Sequence, residues 1–256
     1  MCLARRFVSA TILLLSCSAV HASTLPLYSV VGDVSFNLSP PNRLSPHDFG
    51  TFSLSDTRFG SVSLVAAGMP APAMTAEARI GPNDLPSIFG RADGLLTYAL
   101  EIIGPSGPVP VLIDVAGSAS GFSDDGASFA VESRWDLLDG DVVLAGDDIR
   151  SGQLSGRFNQ GFGRRVGLTL AANHLYSVFL LADAAAAATL EGSQSSALAI
   201  IDPVFTLGPG VDPSLYAFSF SDGIGNGAPV PAAVPEPGTL ALLGAGLLFT
   251  RRLRPR

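Results

Sequence analysis

Between Tyr28 and Ser219 the chain is a succession of short apolar or alternating runs, each closed by Gly, Pro, Asn or Asp. Alternation with a period of two puts successive side chains on opposite faces of a strand, and turn formers at each end limit its length. The pattern predicts strands over residues 30–38, 49–54, 61–66, 94–103, 109–115, 128–135, 142–144, 166–170, 175–181, 197–201 and 215–219. Residues 49–54 and 61–66 read as a pair around the turn at 56–60, and residues 94–103 and 109–115 flank Gly104-Pro105-Ser106-Gly107-Pro108. Many strands with no intervening helical periodicity predict a mostly β protein, an antiparallel sandwich or jelly roll. The chain shows no repeat of fixed period, which argues against a propeller or β-helix. The best helix candidate is 182–190, with five consecutive alanines; alanine favours helix, yet the run follows a clear strand and equally suits a strand extension or a loop.

Composition supports a packed domain rather than a disordered one. Only 14 % of the 256 residues are charged, while 47 % are hydrophobic, and 28 Gly with 19 Pro favour turns over long helices. All 15 basic residues are Arg, six of them within the two ends (Arg5, Arg6, Arg251, Arg252, Arg254 and Arg256). The body keeps 9 Arg against 21 acids once Glu236 is set aside, a formal charge of about −12. A nucleic-acid partner is therefore not expected, because phosphate contacts need a basic face. Both cysteines, Cys2 and Cys17, fall in the first 17 residues, so the body has no disulfide, cysteine nucleophile or Cys-ligated zinc.

The N-terminus has the three parts of a signal peptide: Arg5-Arg6, an apolar stretch from Phe7 to Val20, and Val20-His21-Ala22 with small residues where cleavage needs them. Cleavage is expected after Ala22, following export through the Sec machinery. Leu14-Leu15-Ser16-Cys17 is a poor lipoprotein box because Leu directly precedes Ser.

At the other end, residues 234–256 read VPEPGTLALLGAGLLFTRRLRPR. Pro235-Glu236-Pro237 is followed by an apolar run from Leu240 to Phe249 and then by Arg251, Arg252 and Arg254. Three features in this order resemble the PEP-CTERM sorting signal. Prolines on both sides of Glu236 hold it in an extended backbone, Thr239 can cap a helix beginning at Leu240, and the arginines favour the cytoplasmic side. Residues 239–253 would rise about 22 Å as a helix, less than the roughly 30 Å of a bilayer core, so the anchor is marginal and suits a processed tail. The resemblance implies an exosortase as processing partner, with this protein as its substrate, and delivery to the surface or exterior of exopolysaccharide-producing bacteria. Ala197-Leu198-Ala199-Ile200-Ile201-Asp202-Pro203, Tyr216 to Ser221 and Gly223-Ile224-Gly225-Asn226 are also similar to the region before the tail in such proteins, as are Leu96 to Leu100 with Val109-Pro110-Val111. The expected organisation is a signal peptide (1–22), a β domain (23–227), a Pro/Ala linker (228–234) and a sorting tail (235–256).

The body offers little catalytic chemistry. His47 and His174 lie far apart and outside any metal-binding spacing, with His174 reading as an edge or packing residue, and neither a nucleophile elbow nor a phosphate loop occurs. Gly161-Phe162-Gly163 with Arg164-Arg165 reads as a turn followed by an exposed basic patch. Asp124, Asp125, Asp136, Asp139, Asp141, Asp147 and Asp148 crowd 25 residues without a calcium-loop spacing, so solvated turns are expected, with calcium the one ion weighed; no cofactor is expected. Paired carboxylates for glycoside hydrolysis would need an aromatic-lined cleft, and Trp135 is the single Trp. The leading reading is a non-enzymatic surface or matrix protein linked to exopolysaccharide and biofilm. A carbohydrate-binding module is the alternative, and a secreted hydrolase the more remote one.

Overall fold

The computed structural model describes residues 25–37, 42–82, 87–153 and 155–227. The signal-peptide cleavage site at Ala22, the linker, Pro235-Glu236-Pro237, the C-terminal apolar run and the arginines at 251, 252 and 254 lie outside the described residues.

Among the described residues thirteen strands make up the fold: β1 (Ser29–Phe36), β2 (Asn42–Leu44), β3 (Gly50–Asp56), β4 (Gly60–Ala67), β5 (Ala73–Ile80), β6 (Ile88–Ile103), β7 (Pro108–Ser123), β8 (Ala127–Asp139), β9 (Val142–Gln153), β10 (Gly156–Ala171), β11 (Leu175–Ala188), β12 (Ser195–Leu207) and β13 (Ala217–Phe220). They form two antiparallel sheets. The first runs β2-β1-β6-β11-β8-β9, with β13 also on β6; the second runs β10-β7-β12-β5-β4-β3. The chain crosses between sheets at nearly every turn from β5 to β12. Those eight strands divide four and four, as β10-β7-β12-β5 and β9-β8-β11-β6, which is the jelly-roll arrangement of two Greek keys. β4 and β3 widen one sheet beyond β5, and β1 and β2 widen the other beyond β6.

Alternation accounts for the core. Val62, Leu64 and Ala66 of β4, Leu96, Tyr98, Leu100 and Ile102 of β6, and Val109, Val111, Ile113 and Val115 of β7 turn inward, with polar residues between many of them turned out. Trp135 is fully buried among them, so it supplies structure and no surface platform for a sugar.

The alanine run is strand, not helix. Ala182 to Ala188 lie in the second half of β11, hydrogen-bonded to β6 on one side and β8 on the other. Ala182, Ala184, Ala186 and Ala188 point into the core, where Ala76 and Ala78 of β5 and Ala197 and Ala199 of β12 also present small side chains. β11 packs against both of those strands, and small residues on all three let the sheets approach there, so tertiary pairing overrides the helical preference of alanine. Gly94 on β6 marks the same closeness, since a Cβ there would sit 2.4 Å from Met74 Cε and 2.6 Å from Leu64 Cδ1.

Several predicted runs grow. β6 begins at Ile88, β7 extends to Ser123, and β10 reaches back to Gly156, so Gly161-Phe162-Gly163 lie inside a strand and form no turn. β6 and β7 flank their turn but belong to opposite sheets. β1 and β13 lie end to end along one edge of β6, against residues 90–97 and 100–103. Buried Ser221 closes their junction: Ala99 N–H donates to its Oγ at 2.8 Å, and its hydroxyl donates to the Pro26 carbonyl at 2.6 Å.

Candidate functional site

The last described residues are stitched to the sandwich. Gly225 N–H donates to the Gly68 carbonyl and Gly227 N–H to the Pro70 carbonyl, both at 2.7 Å. Asn226 uses its side chain as a strand would use its backbone, accepting from Phe205 N–H at 2.8 Å and donating to the Phe205 carbonyl at 2.7 Å, beyond the point where β5 stops pairing with β12. Residues entering β1 meet the same end, where Tyr28 stacks on Phe49 at 4.1 Å between ring centroids.

The crowded aspartates separate once folded. Asp124 accepts from Gln194 N–H at 2.8 Å, Asp136 pairs with Arg134 at 2.7 Å, Asp139 with His174 at 2.8 Å, Asp147 with Arg164 at 3.5 Å and Asp148 with Arg150 at 3.7 Å. Among the described residues no three His, Cys, Asp or Glu side chains are grouped to hold a metal ion. His174 sits at the start of β11 with its ring against Tyr176. Arg164 and Arg165 are no free basic patch, because Arg165 grips Asp114 with two bonds of 2.7 and 3.1 Å and Arg164 faces Asp147.

Folding assembles two features that no local sequence pattern announced. On the outer face of the first sheet, Asp33, Asp93, Asp183 and Glu132 stand directly opposite one another on β1, β6, β11 and β8. Like charges in such register repel. Arg91 answers them, with Nε 3.2 Å from Asp93 and Nη2 3.0 Å from Asp183, and Arg43 lies 2.9 Å from Asp33. Burial, with the nearby Asp183 and Asp33 adding to it, still leaves the Asp93 carboxyl raised despite Arg91.

The second feature is a groove of about 430 Å³ on the outer face of the other sheet. Arg79, Ser196, Phe122 and Arg157 form one cross-strand row over β5, β12, β7 and β10; Glu77, Leu198, Ser120 and Asn159 form the next. Both rows continue as hydroxyls onto β4 and β3, through Ser61 and Ser55 and through Ser63 and Ser53. The Arg157 guanidinium lies 5.1 Å from the centre of the Phe122 ring. Arg43, Arg58, Arg79, Arg91, Arg134, Arg150, Arg164 and Arg165 all have a carboxylate partner, which leaves Arg157 as the one arginine among the described residues without an ion pair.

Farther along this face, Asp202 borders a second recess with Val204, Asp114 and Arg164. One of its carboxylate oxygens is buried without a hydrogen-bond partner, and desolvation pushes its pKa up to about 6.

Residues 233–256 match the family model of the PEP-CTERM protein-sorting motif. The chain carries a PEP-CTERM sorting tail. A tail of this kind marks an exported protein directed to the cell surface or exterior, with an exosortase as its processing partner. A curated protein of Rhizobium leguminosarum bv. trifolii, described as pyrophosphate-energized proton pump 1, is 33 % identical over 108 residues, covering 38 % of this chain. The chain spans 62 % of that relative's length. Among solved structures, the enzymatically active domain of bacteriophage CBA120 tailspike protein 4 aligns with 71 % of this chain and 19 % of its own, at 11 % identity and a TM-score of 0.19. The infectious bursal disease virus Gx strain structure aligns with 91 % of this chain and 74 % of its own, at 10 % identity and a TM-score of 0.17. At these scores neither structure bears on the fold or the function of the PEP-CTERM chain.

Proposed function

We propose that this is a non-enzymatic component of the bacterial surface or extracellular matrix, exported by the Sec machinery, processed by an exosortase at Pro235-Glu236-Pro237, and linked to exopolysaccharide and biofilm. The observation that carries this reading is the sorting motif at 233–256, immediately behind a jelly-roll domain that ends in a fixed clamp at Asn226. The dispersal of the aspartates between residues 124 and 148 into ion pairs and turns supports a structural or binding role over a catalytic one. The pump activity named for the Rhizobium protein is not carried over, because the match takes in only 38 % of this chain.

The test is fractionation of cells with and without the exosortase, followed by intact-mass measurement of the protein. Processing predicts a mature C-terminus near residues 235–237 in the wild type and a retained, membrane-associated tail in the mutant. A full tail on the wild-type surface protein refutes the reading. Carbohydrate binding is the second reading, and the hydroxyl-lined groove across β5, β12, β7 and β10 favours it.

A further inference from the structure

We propose that the groove of Arg157, Phe122, Asn159, Ser120 and Ser196 binds a carboxylated polysaccharide, with the Arg157 guanidinium receiving a uronate carboxylate. This gives the exopolysaccharide link proposed above a site and a ligand chemistry.

Three observations converge. In a body with 21 acids and 9 arginines, eight arginines are ion-paired and the ninth lies in this groove. A planar guanidinium with no internal carboxylate matches an external one through two parallel N–H donors. The Phe122 ring lies beneath the Arg157 guanidinium at 5.1 Å, a cation–π contact that favours this placement of the charge over the groove. Around it, Ser120 and Ser196 hydroxyls and the Asn159 amide can each donate and accept, which is what vicinal sugar hydroxyls require. The serines of β4 and β3 continue both rows beyond the groove, so a polymer crossing the strands would meet further hydroxyls.

The same features disfavour other anions. A nucleic acid would need several free cations tracking its phosphates, and one guanidinium on an acidic protein does not supply them. An acidic peptide adding to a sheet would lie along an edge strand, whereas this groove runs across four strands.

The experiment is calorimetric titration of the full-length chain, purified in mild detergent, with oligosaccharides of polygalacturonate and with cello-oligosaccharides of equal length. The acidic series should bind, more weakly as salt is raised, and the uncharged series should bind at least tenfold more weakly, a difference of about 1.4 kcal/mol. Arg157→Gln should lower affinity for the acidic series about tenfold, and Asn159→Ala should lower it less. Arg164→Gln, which removes an exposed but ion-paired arginine on the same strand, should leave it unchanged. The site is refuted if polygalacturonate fails to bind, if Arg157→Gln binds it as tightly as the wild type, or if both sugar series bind equally. Correct C-terminal processing together with failed glycan binding would sink this inference alone. Glycan binding by a chain whose tail is never processed would sink only the sorting proposal.

Discussion

Asp202→Asn should stabilise the protein at neutral pH and do little at pH 3.5. Asp202 is about half-buried, one carboxylate oxygen has no partner, and desolvation raises its pKa from 3.8 to about 6. Between those values the folded state binds more protons than the unfolded state, so stability falls as pH rises through the window and the penalty is complete above about pH 6. A shift from 3.8 to about 6 corresponds to roughly 3 kcal/mol at 1.36 kcal/mol per unit. Half exposure lets solvent screen the charge, which reduces the effect to about 1–1.5 kcal/mol. Asparagine keeps the shape and removes the charge. At about 2–4 °C per kcal/mol for a domain of this size, Asp202→Asn should melt roughly 2–6 °C higher at pH 7. The assay is a set of thermal melts of wild type and variant from pH 3.5 to 8. The two curves should coincide at the acid end and separate through the window. An equal offset at every pH would refute desolvation as the cause.

Ser221→Ala removes the hydroxyl that accepts from Ala99 N–H and donates to the Pro26 carbonyl, leaving the buried Ala99 N–H unmatched; a loss of about 1–3 kcal/mol is expected in denaturant titration. Gly60→Ala should cost more than Gly94→Ala. At Gly60 the φ is +139° and the new Cβ would sit 1.9 Å from the Arg79 carbonyl oxygen, whereas at Gly94 it meets only the ends of Met74 and Leu64, for which about 1–3 kcal/mol is expected. Equal midpoints for the two glycine variants would contradict this ordering. Arg91→Ala should destabilise by about 1–2 kcal/mol at pH 7 and recover in high salt, because Asp93 and Asp183 then face each other across the strands without their shared guanidinium. A salt-independent loss would point to packing of the Arg91 stem instead.

The architecture was legible because alternation is a local signal: residues 61–66 read as a strand and form one, with Val62 and Leu64 inward. β5 escaped because its inward residues are Met74, Ala76, Ala78 and Ile80, where two alanines dilute the contrast between faces. The glycines of β10 looked like a turn because an isolated Gly-Phe-Gly-Arg-Arg carries no record of β7, whose pairing makes it strand. The tail could be read outright, since three features in order within 23 residues need no tertiary context. The groove could not be. Its two rows draw on residues 77 and 79, 120 and 122, 157 and 159, and 196 and 198, and only cross-strand register brings them together. The isolation of Arg157 was equally invisible, because it emerges only after each of the other described arginines has found its acid.

Register also fixes where the groove lies relative to Gly227, the last described residue. Asn226 clamps β12 at Phe205, and the groove meets the same strand at Ser196, nine residues away and about 30 Å along an extended backbone. β5 gives the same polarity: its start at Ala73 follows the loop that binds Gly225 and Gly227, and its far end carries Glu77 and Arg79. The chain enters at the clamped end too, where Ser221 holds the Pro26 carbonyl. Any attachment made through Gly227 therefore leaves the groove at the opposite end of the sandwich. A matrix polymer too large to slip beneath an anchored domain could still reach Arg157 there.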